Sequence, residues 1–173
     1  NGDMASPDEF ASMAGDLGIS NDMTVVVYDA PSQMTGMVAW SFLYYGHSDV
    51  RILDGGLAKW TGENRPVTTE TVDYPHATFV PEPLEAVYCS LNQAKSALGQ
   101  PKHIFWDTRT LEEFEGTAAG FGAPVQMGRI PGAIHLEWIE LFDPDTMTLK
   151  PAEALHSLLA SRGITPESEI DTY

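Results

Sequence analysis

The sequence predicts an α/β protein, each domain a central parallel sheet with helices on both faces. Three observations carry this. "TVVVYD" (residues 24–29) and "VRILD" (50–54) are short β-branched runs, and "MVAWSFLYY" (37–45) between them is apolar nearly all round, as a buried helix is. Strand, helix, strand in that order is a βαβ unit, whose strands run parallel. A second block repeats the alternation, with a helix at "LNQAKSAL" (91–98), a strand at "HIFWD" (103–107), and a later helix and strand ending at Tyr173.

Local signals set each element. Ser6, Pro7 and Glu9 form a capping box with Pro at the first helical position, and Phe10, Met13 and Leu17 then fall on one helical face, closed by Gly18. Val25–Tyr28 reads as a strand buried on both faces. "DAPSQMTG" (29–36) is a loop by its Pro, Ser and Gly. Gly55-Gly56 turns the chain into a short helix at "LAKW". From Asn64 to Pro83 there are four prolines and the polar run "TTETVDY", which marks a linker or a long surface crossing. Thr110 and Glu113 make a second capping box, before Gly116. "GTAAGFGAPVQMG" (116–128) is a Gly-rich loop, without the Lys and Ser/Thr spacing of a phosphate cradle. "AIHLEW" (133–138) reads as a short strand or an extended entry into a helical turn. Pro151 opens a helix with Leu155, Leu158 and Leu159 inward, closed by Gly163.

At 173 residues the chain has room for one ordinary domain or parts of two. Its 43% hydrophobic and 20% charged residues are those of a globular protein. No run approaches the roughly 18 apolar residues of a membrane-spanning helix, and the N-terminal "NGDMASPDEF" lacks the basic and apolar regions of a signal peptide. A net charge of −16 argues against nucleic acid and anionic membranes as partners. The single cysteine, Cys89, excludes an internal disulfide and a Cys-based zinc site. His47 and His135 match no metal-ligand spacing and read as packing or surface residues. The compartment stays open, the cytoplasm being the default and the periplasm the other option.

Two stretches match each other 145 residues apart: "GISNDMTVVVY" (18–28) and "GITPESEIDTY" (163–173). Each runs Gly, Ile, a hydroxyl residue, a linking stretch and a strand ending in Tyr. Each follows a helix opened by Pro with Glu two residues later, Pro7/Glu9 and Pro151/Glu153. The offset is a domain's length, so the chain reads as the late part of one domain followed by the early part of the next copy. The first copy then shows what should follow Tyr173: a loop at the carboxyl end of a strand and a buried helix, the usual ligand position in an α/β sheet.

"TVVVYD", "FLYYGHSDVRILDGGLAKW", "WDTRTLEEFEG" and "GRIPGAIHLEW" together resemble the tandem-domain rhodanese-type sulfurtransferases, the thiosulfate and 3-mercaptopyruvate sulfurtransferases. The resemblance covers nearly the whole chain apart from the linker. It implies an internal fragment: residues 1–72 as the closing half of a first, non-catalytic rhodanese-like domain, 73–84 as linker, and 85–173 as the opening half of a second, catalytic-type domain. A nucleophilic Cys is then expected directly after Tyr173, so no catalytic residue lies in this chain and the chain alone is expected to be inactive. Asp29 occupies the corresponding, degenerate position of the first domain; a carboxylate cannot carry a persulfide. Arg109 matches the family's substrate-binding Arg, a planar, permanently charged partner for thiosulfate or mercaptopyruvate. Asp107 would orient that Arg or the loop; the residue-level alternative is a plain structural ion pair. Arg129 departs from the His usual before I-P-G-A and reads as structural.

The implied chemistry moves a sulfane sulfur from thiosulfate or 3-mercaptopyruvate to cyanide or a thiol through a Cys persulfide, without metal or organic cofactor. The implied partners are a small anionic donor, a thiol or cyanide acceptor, and the remaining parts of the parent chain. The alternative is a non-enzymatic rhodanese-like binding or regulatory module. Cys89, in "AVYCSLNQA", has no neighbouring His and no anion cradle, and reads as a small packing residue or a surface spectator.

Overall fold

The computed structural model describes residues 4–29, 33–120 and 127–173. The "DAPSQMTG" loop therefore lies partly outside the described residues, at 30–32, as does the Gly-rich loop at 121–126. The chain divides into two compact units, Asn1–Tyr88 and Cys89–Tyr173. Both are α/β, with parallel strands flanked by helices.

Unit 1 runs α1 (Pro7–Asp16), β1 (Val25–Val27), α2 (Gln33–Tyr44), β2 (Val50–Ile52) and α3 (Gly56–Gly62). The α1 capping box forms as the sequence predicts: the Ser6 hydroxyl accepts the Glu9 amide, and the Glu9 carboxylate accepts the Ser6 amide at 2.7 Å. The buried face differs from the predicted one. Phe10 and Ala14 enter the core, whereas Met13 and Leu17 are 60% and 65% exposed. Phe10 stacks on Tyr45 with ring centroids 4.3 Å apart and meets Phe42 and Phe79 edge-on, so one ring sets the rotation of the helix. β1 and β2 pair in parallel, Val25 opposite Val50, as a βαβ unit requires. β1 is not buried on both faces: Val26 is 51% exposed. Nor is α2 buried all round, since Ala39 and Phe42 are inward while Met34, Met37, Val38 and Leu43 lie exposed.

The stretch predicted as linker, 73–84, packs on unit 1. Phe79 is a core residue, and the Ala77, Glu82 and Leu84 amides donate to the carbonyls of Gly15, Tyr45 and Tyr44. Two glycines permit this approach: a Cβ on Gly15 would sit 2.6 Å from the Ala77 oxygen, and one on Gly46, at φ +83°, 2.8 Å from the Glu82 oxygen. The division between compact units falls after Tyr88.

Unit 2 runs α4 (Leu91–Ala97), β3 (His103–Asp107), α5 (Leu111–Glu115), β4 (Ile134–His135), a 3-10 turn (Trp138–Leu141), α6 (Ala152–Ser161) and β5 (Glu169–Thr172). The sheet order is β4-β3-β5, both pairings parallel. The Thr110–Glu113 box caps α5, and an unforeseen one, Ser90 with Gln93, caps α4. Leu155, Leu158 and Leu159 form the half-buried stripe of α6, as its periodicity predicts.

The two matching stretches share their turn geometry. The Gly18 and Ile19 amides donate to Gly15 and Ala14 at 2.9 Å; those of Gly163 and Ile164 donate to Ala160 and Leu159 at 3.0 Å. Glycine ends both helices with positive φ, +75° and +78°. The strands that follow use opposite edges. In β1 the Val25 amide and the Val27 carbonyl bond toward β2, whereas in β5 the Glu169 and Tyr173 amides bond toward β3. Glu169 and Tyr173 correspond to Thr24 and Tyr28, out of phase with Val25 and Val27. Successive residues of a strand bond to opposite sides, so the edge β3 takes on β5 is the one β2 leaves free on β1.

Candidate functional site

The charged cluster in unit 2 forms where three parallel strands end. Asp107, the last residue of β3, is fully buried, 0% exposed. Its carboxylate grips Arg109, two residues on, through Arg109 Nε to Oδ1 at 2.9 Å and Nη2 to Oδ2 at 2.6 Å, and it also accepts the Arg109 amide. Nη2 donates further to the Gly128 carbonyl at 2.9 Å. Nη1 takes no part in these bonds.

Tyr173 closes the cluster from β5. The Arg109 guanidinium carbon lies 5.1 Å from the centre of its ring. Its hydroxyl accepts the Ile130 amide at 3.0 Å. Its backbone is tied on both sides: its amide donates to the Trp106 carbonyl, and its carbonyl accepts from the Thr108 amide and hydroxyl. The neighbouring strand end is held in the same way, with the Leu136 amide on the Asp107 carbonyl and His135 Nε2 2.9 Å from the Arg109 carbonyl.

Burial acts most strongly on the Asp107 carboxyl and would raise its pKa. The hydrogen bonds from Arg109 and Tyr173 and the guanidinium charge outweigh it, so the carboxyl is held below the ordinary range. The hydrogen bond that Arg109 donates to Asp107 raises the Arg109 pKa against the opposing effect of burial. Burial also pushes the Tyr173 phenol up. The result is a fixed guanidinium beside a strand end, suited to holding a small anion or to pinning the chain that leaves the strand.

The sequence picked out Asp107 and Arg109, and the structure joins them directly. It did not pick out Tyr173, although the repeat had placed a Tyr at the end of both strands. Asp29, at the matching position of unit 1, directly follows the exposed Tyr28, and its carbonyl accepts the Leu57 amide of α3 at 3.2 Å. Arg129 lies over the Phe114 ring at 4.3 Å and donates to the Phe114 carbonyl, a packing role. His135 also lies against Phe114, and His47 is buried between Phe42 and Phe79.

Cys89 is half-buried, and sequence reasoning missed its partners. Its Sγ donates to Asp171 Oδ2 at 2.9 Å, and the same oxygen meets His103 Nε2 at 2.7 Å. Burial first, then the Asp171 hydrogen bond and charge, push the thiol up to about 11. The carboxylate stands between thiol and imidazole, so His103 is not placed to deprotonate the sulfur. Among the described residues no group of three or more His, Cys, Asp or Glu side chains could hold a metal ion, and no helix is long and apolar enough to cross a membrane.

Comparison with known proteins agrees with this architecture. Residues 1–63 match the family model of the rhodanese-like domain. The chain is 36% identical over 182 residues to the sulfur carrier protein TtuD of Thermus thermophilus, covering 99% of this chain and 63% of that protein. It is 32% identical over 181 residues to a Mycolicibacterium smegmatis protein named "Putative thiosulfate sulfurtransferase", with the same coverage. The chain thus spans a little under two thirds of the length of these relatives. Two solved structures, wild-type EanB and the anaerobic ergothioneine biosynthesis enzyme from Chlorobium limicola with its natural substrate trimethyl histidine, share the fold: TM-score 0.82, 24% identity, covering 98% of this chain and 45% of theirs. The protein is rhodanese-like in fold. Its sequence is similar to proteins named sulfur carrier protein and putative thiosulfate sulfurtransferase.

Proposed function

We propose that the parent protein is a sulfurtransferase that moves a sulfane sulfur from thiosulfate or 3-mercaptopyruvate to cyanide or a thiol. The observation that carries this reading is the Asp107–Arg109 pair, packed on Tyr173 at the strand end where the resemblance places the nucleophile. A Cys thiolate directly after Tyr173 attacks the outer sulfur of thiosulfate. The S–S bond breaks and sulfite leaves with the electron pair, giving a Cys persulfide. Cyanide then takes the terminal sulfur as thiocyanate and restores the thiolate. Arg109 meets the donor's negative charge through the nitrogen its fixed bonds do not use, and Asp107 sets its direction. With 3-mercaptopyruvate the same attack on the thiol sulfur releases pyruvate, the enolate carbon taking a proton.

The domain reading follows the same line. Unit 1 is the closing half of a non-catalytic domain and unit 2 the opening half of a catalytic one, a reading supported by the opposite edges used by β1 and β5. The 173-residue chain alone transfers no sulfur. Asp29 cannot form a persulfide, and the Cys89 thiol is protonated and hydrogen-bonded at neutral pH.

The test is thiocyanate formation from thiosulfate and cyanide by the full-length parent protein, by its variant lacking the Cys after Tyr173, and by the 173-residue chain. Turnover by the parent alone is expected. Turnover by the short chain, or loss of activity on replacing Cys89, would overturn the assignment. A parent with another residue after Tyr173 and no turnover would favour a non-enzymatic binding module of the same fold.

A further inference from the structure

We propose that Tyr173 is a positioning residue for the anionic donor: its ring and hydroxyl hold the Asp107–Arg109 pair in one orientation, so donor affinity depends on a side chain outside the donor's reach. This rests on the reading of Arg109 as the donor-binding cation. An arginine held only by a carboxylate can still rock about the axis of the two bonds. Here the Tyr173 ring lies against the guanidinium, its centre 5.1 Å from the guanidinium carbon, and limits that motion. The Tyr173 hydroxyl accepts the Ile130 amide, so the ring that lies on the guanidinium is tied to the loop after Gly128, whose carbonyl takes the other Nη2 bond. The Tyr173 backbone is fixed by Trp106 and Thr108. Among the described residues, the groups that bond or stack on the Arg109 guanidinium are anchored to β3, to the end of β5 or to the 128–130 loop. At the same repeat position in unit 1, Tyr28 is exposed.

The experiment is steady-state thiosulfate:cyanide kinetics on the full-length parent protein with Tyr173→Phe, Tyr173→Leu, Arg109→Met and the Arg109→Met/Tyr173→Phe double variant, with Tyr28→Phe as control. Tyr173→Phe keeps the ring and loses one hydroxyl, and is expected to raise KM for thiosulfate about threefold to tenfold, the size of one hydrogen bond, with kcat held within about twofold. Tyr173→Leu loses the ring as well and raises KM further. Tyr28→Phe changes neither parameter. The double variant should be no worse than Arg109→Met, because the hydroxyl acts only through that guanidinium. An unchanged KM in Tyr173→Phe, a loss confined to kcat, or additive effects in the double variant would overturn the role of Tyr173 while leaving the sulfurtransferase reading intact. A wild-type parent without turnover on thiosulfate or 3-mercaptopyruvate would overturn both.

Discussion

Asp107 and Arg109, two residues apart, form a bidentate ion pair of 2.9 and 2.6 Å in which the carboxylate is wholly buried and the guanidinium is half-buried. Removing one partner from such a pair leaves a charge without compensation. Asp107→Asn keeps the volume and is expected to destabilise unit 2 by about 3–5 kcal/mol, read from urea unfolding against the parent. A loss under about 1 kcal/mol would mean that the pair contributes little to folding.

The same carboxyl gives unit 2 an acid-side dependence. Its folded pKa lies below the unfolded value of about 3.9, so its stabilisation is complete above that value and is lost as pH falls through the folded one. Stability attributable to Asp107, taken as the difference between the parent and Asp107→Asn, is expected to be flat from neutrality down to about pH 5 and to shrink only at more acid pH. A decline centred near neutrality would contradict this.

Cys89 should be a slow nucleophile. With its thiol pushed up to about 11, alkylation by iodoacetamide at pH 8 should lag well behind that of a free thiol and climb as pH approaches 11. The neutral thiol is the favoured folded form, so its hydrogen bond stabilises fully below the ordinary thiol pKa of about 8.5 and is lost as pH rises through the folded value. Asp171→Asn removes the opposing charge and should quicken the reaction at pH 8.

Phe79 fastens the 73–84 stretch to unit 1. Phe79→Ala is expected to cost about 3–5 kcal/mol in unit 1 and to open that stretch to proteolysis. Gly15→Ala tests the same contact from the other side. Its Cβ would lie 2.6 Å from a backbone oxygen, so a loss of about 1–3 kcal/mol is expected in spite of alanine's better helix propensity.

His47 is buried, and neither of its ring nitrogens has a hydrogen-bond partner among the described residues. His47→Leu relieves that cost and is expected to stabilise unit 1 by about 1 kcal/mol, seen as a higher melting temperature.

Much of the fold was legible because its signals are local. Capping needs only Ser6 with Glu9 or Thr110 with Glu113, and the turns need only glycines able to take positive φ. The parallel strands followed from short β-branched runs on either side of a helix. The repeat at 145 residues reappears as matching hydrogen bonds at Gly18 and Gly163. Misread positions were those decided by distant neighbours. Met13 and Leu17 share a helical face with Phe10, but the core that receives Phe10 comes from Phe42, Tyr45 and Phe79, and it closes over Ala14 instead. The 73–84 stretch looks like a linker in its composition, and packs because Gly15 and Gly46 let backbone approach backbone.

By itself, the sequence determined the α/β class, the order of elements and the two matching stretches 145 residues apart, and it marked Asp107 and Arg109 at a strand end. Each depends on residues within a turn or two of one another, or on a spacing that can be counted. Only the tertiary structure decided that Tyr173 faces Arg109, that Cys89 shares Asp171 with His103, and which edge of each repeated strand is occupied. The side-chain contacts join residues 64 or more positions apart and the strand edges join residues 24 or more apart, and their geometry follows from how the strands of each sheet are laid side by side.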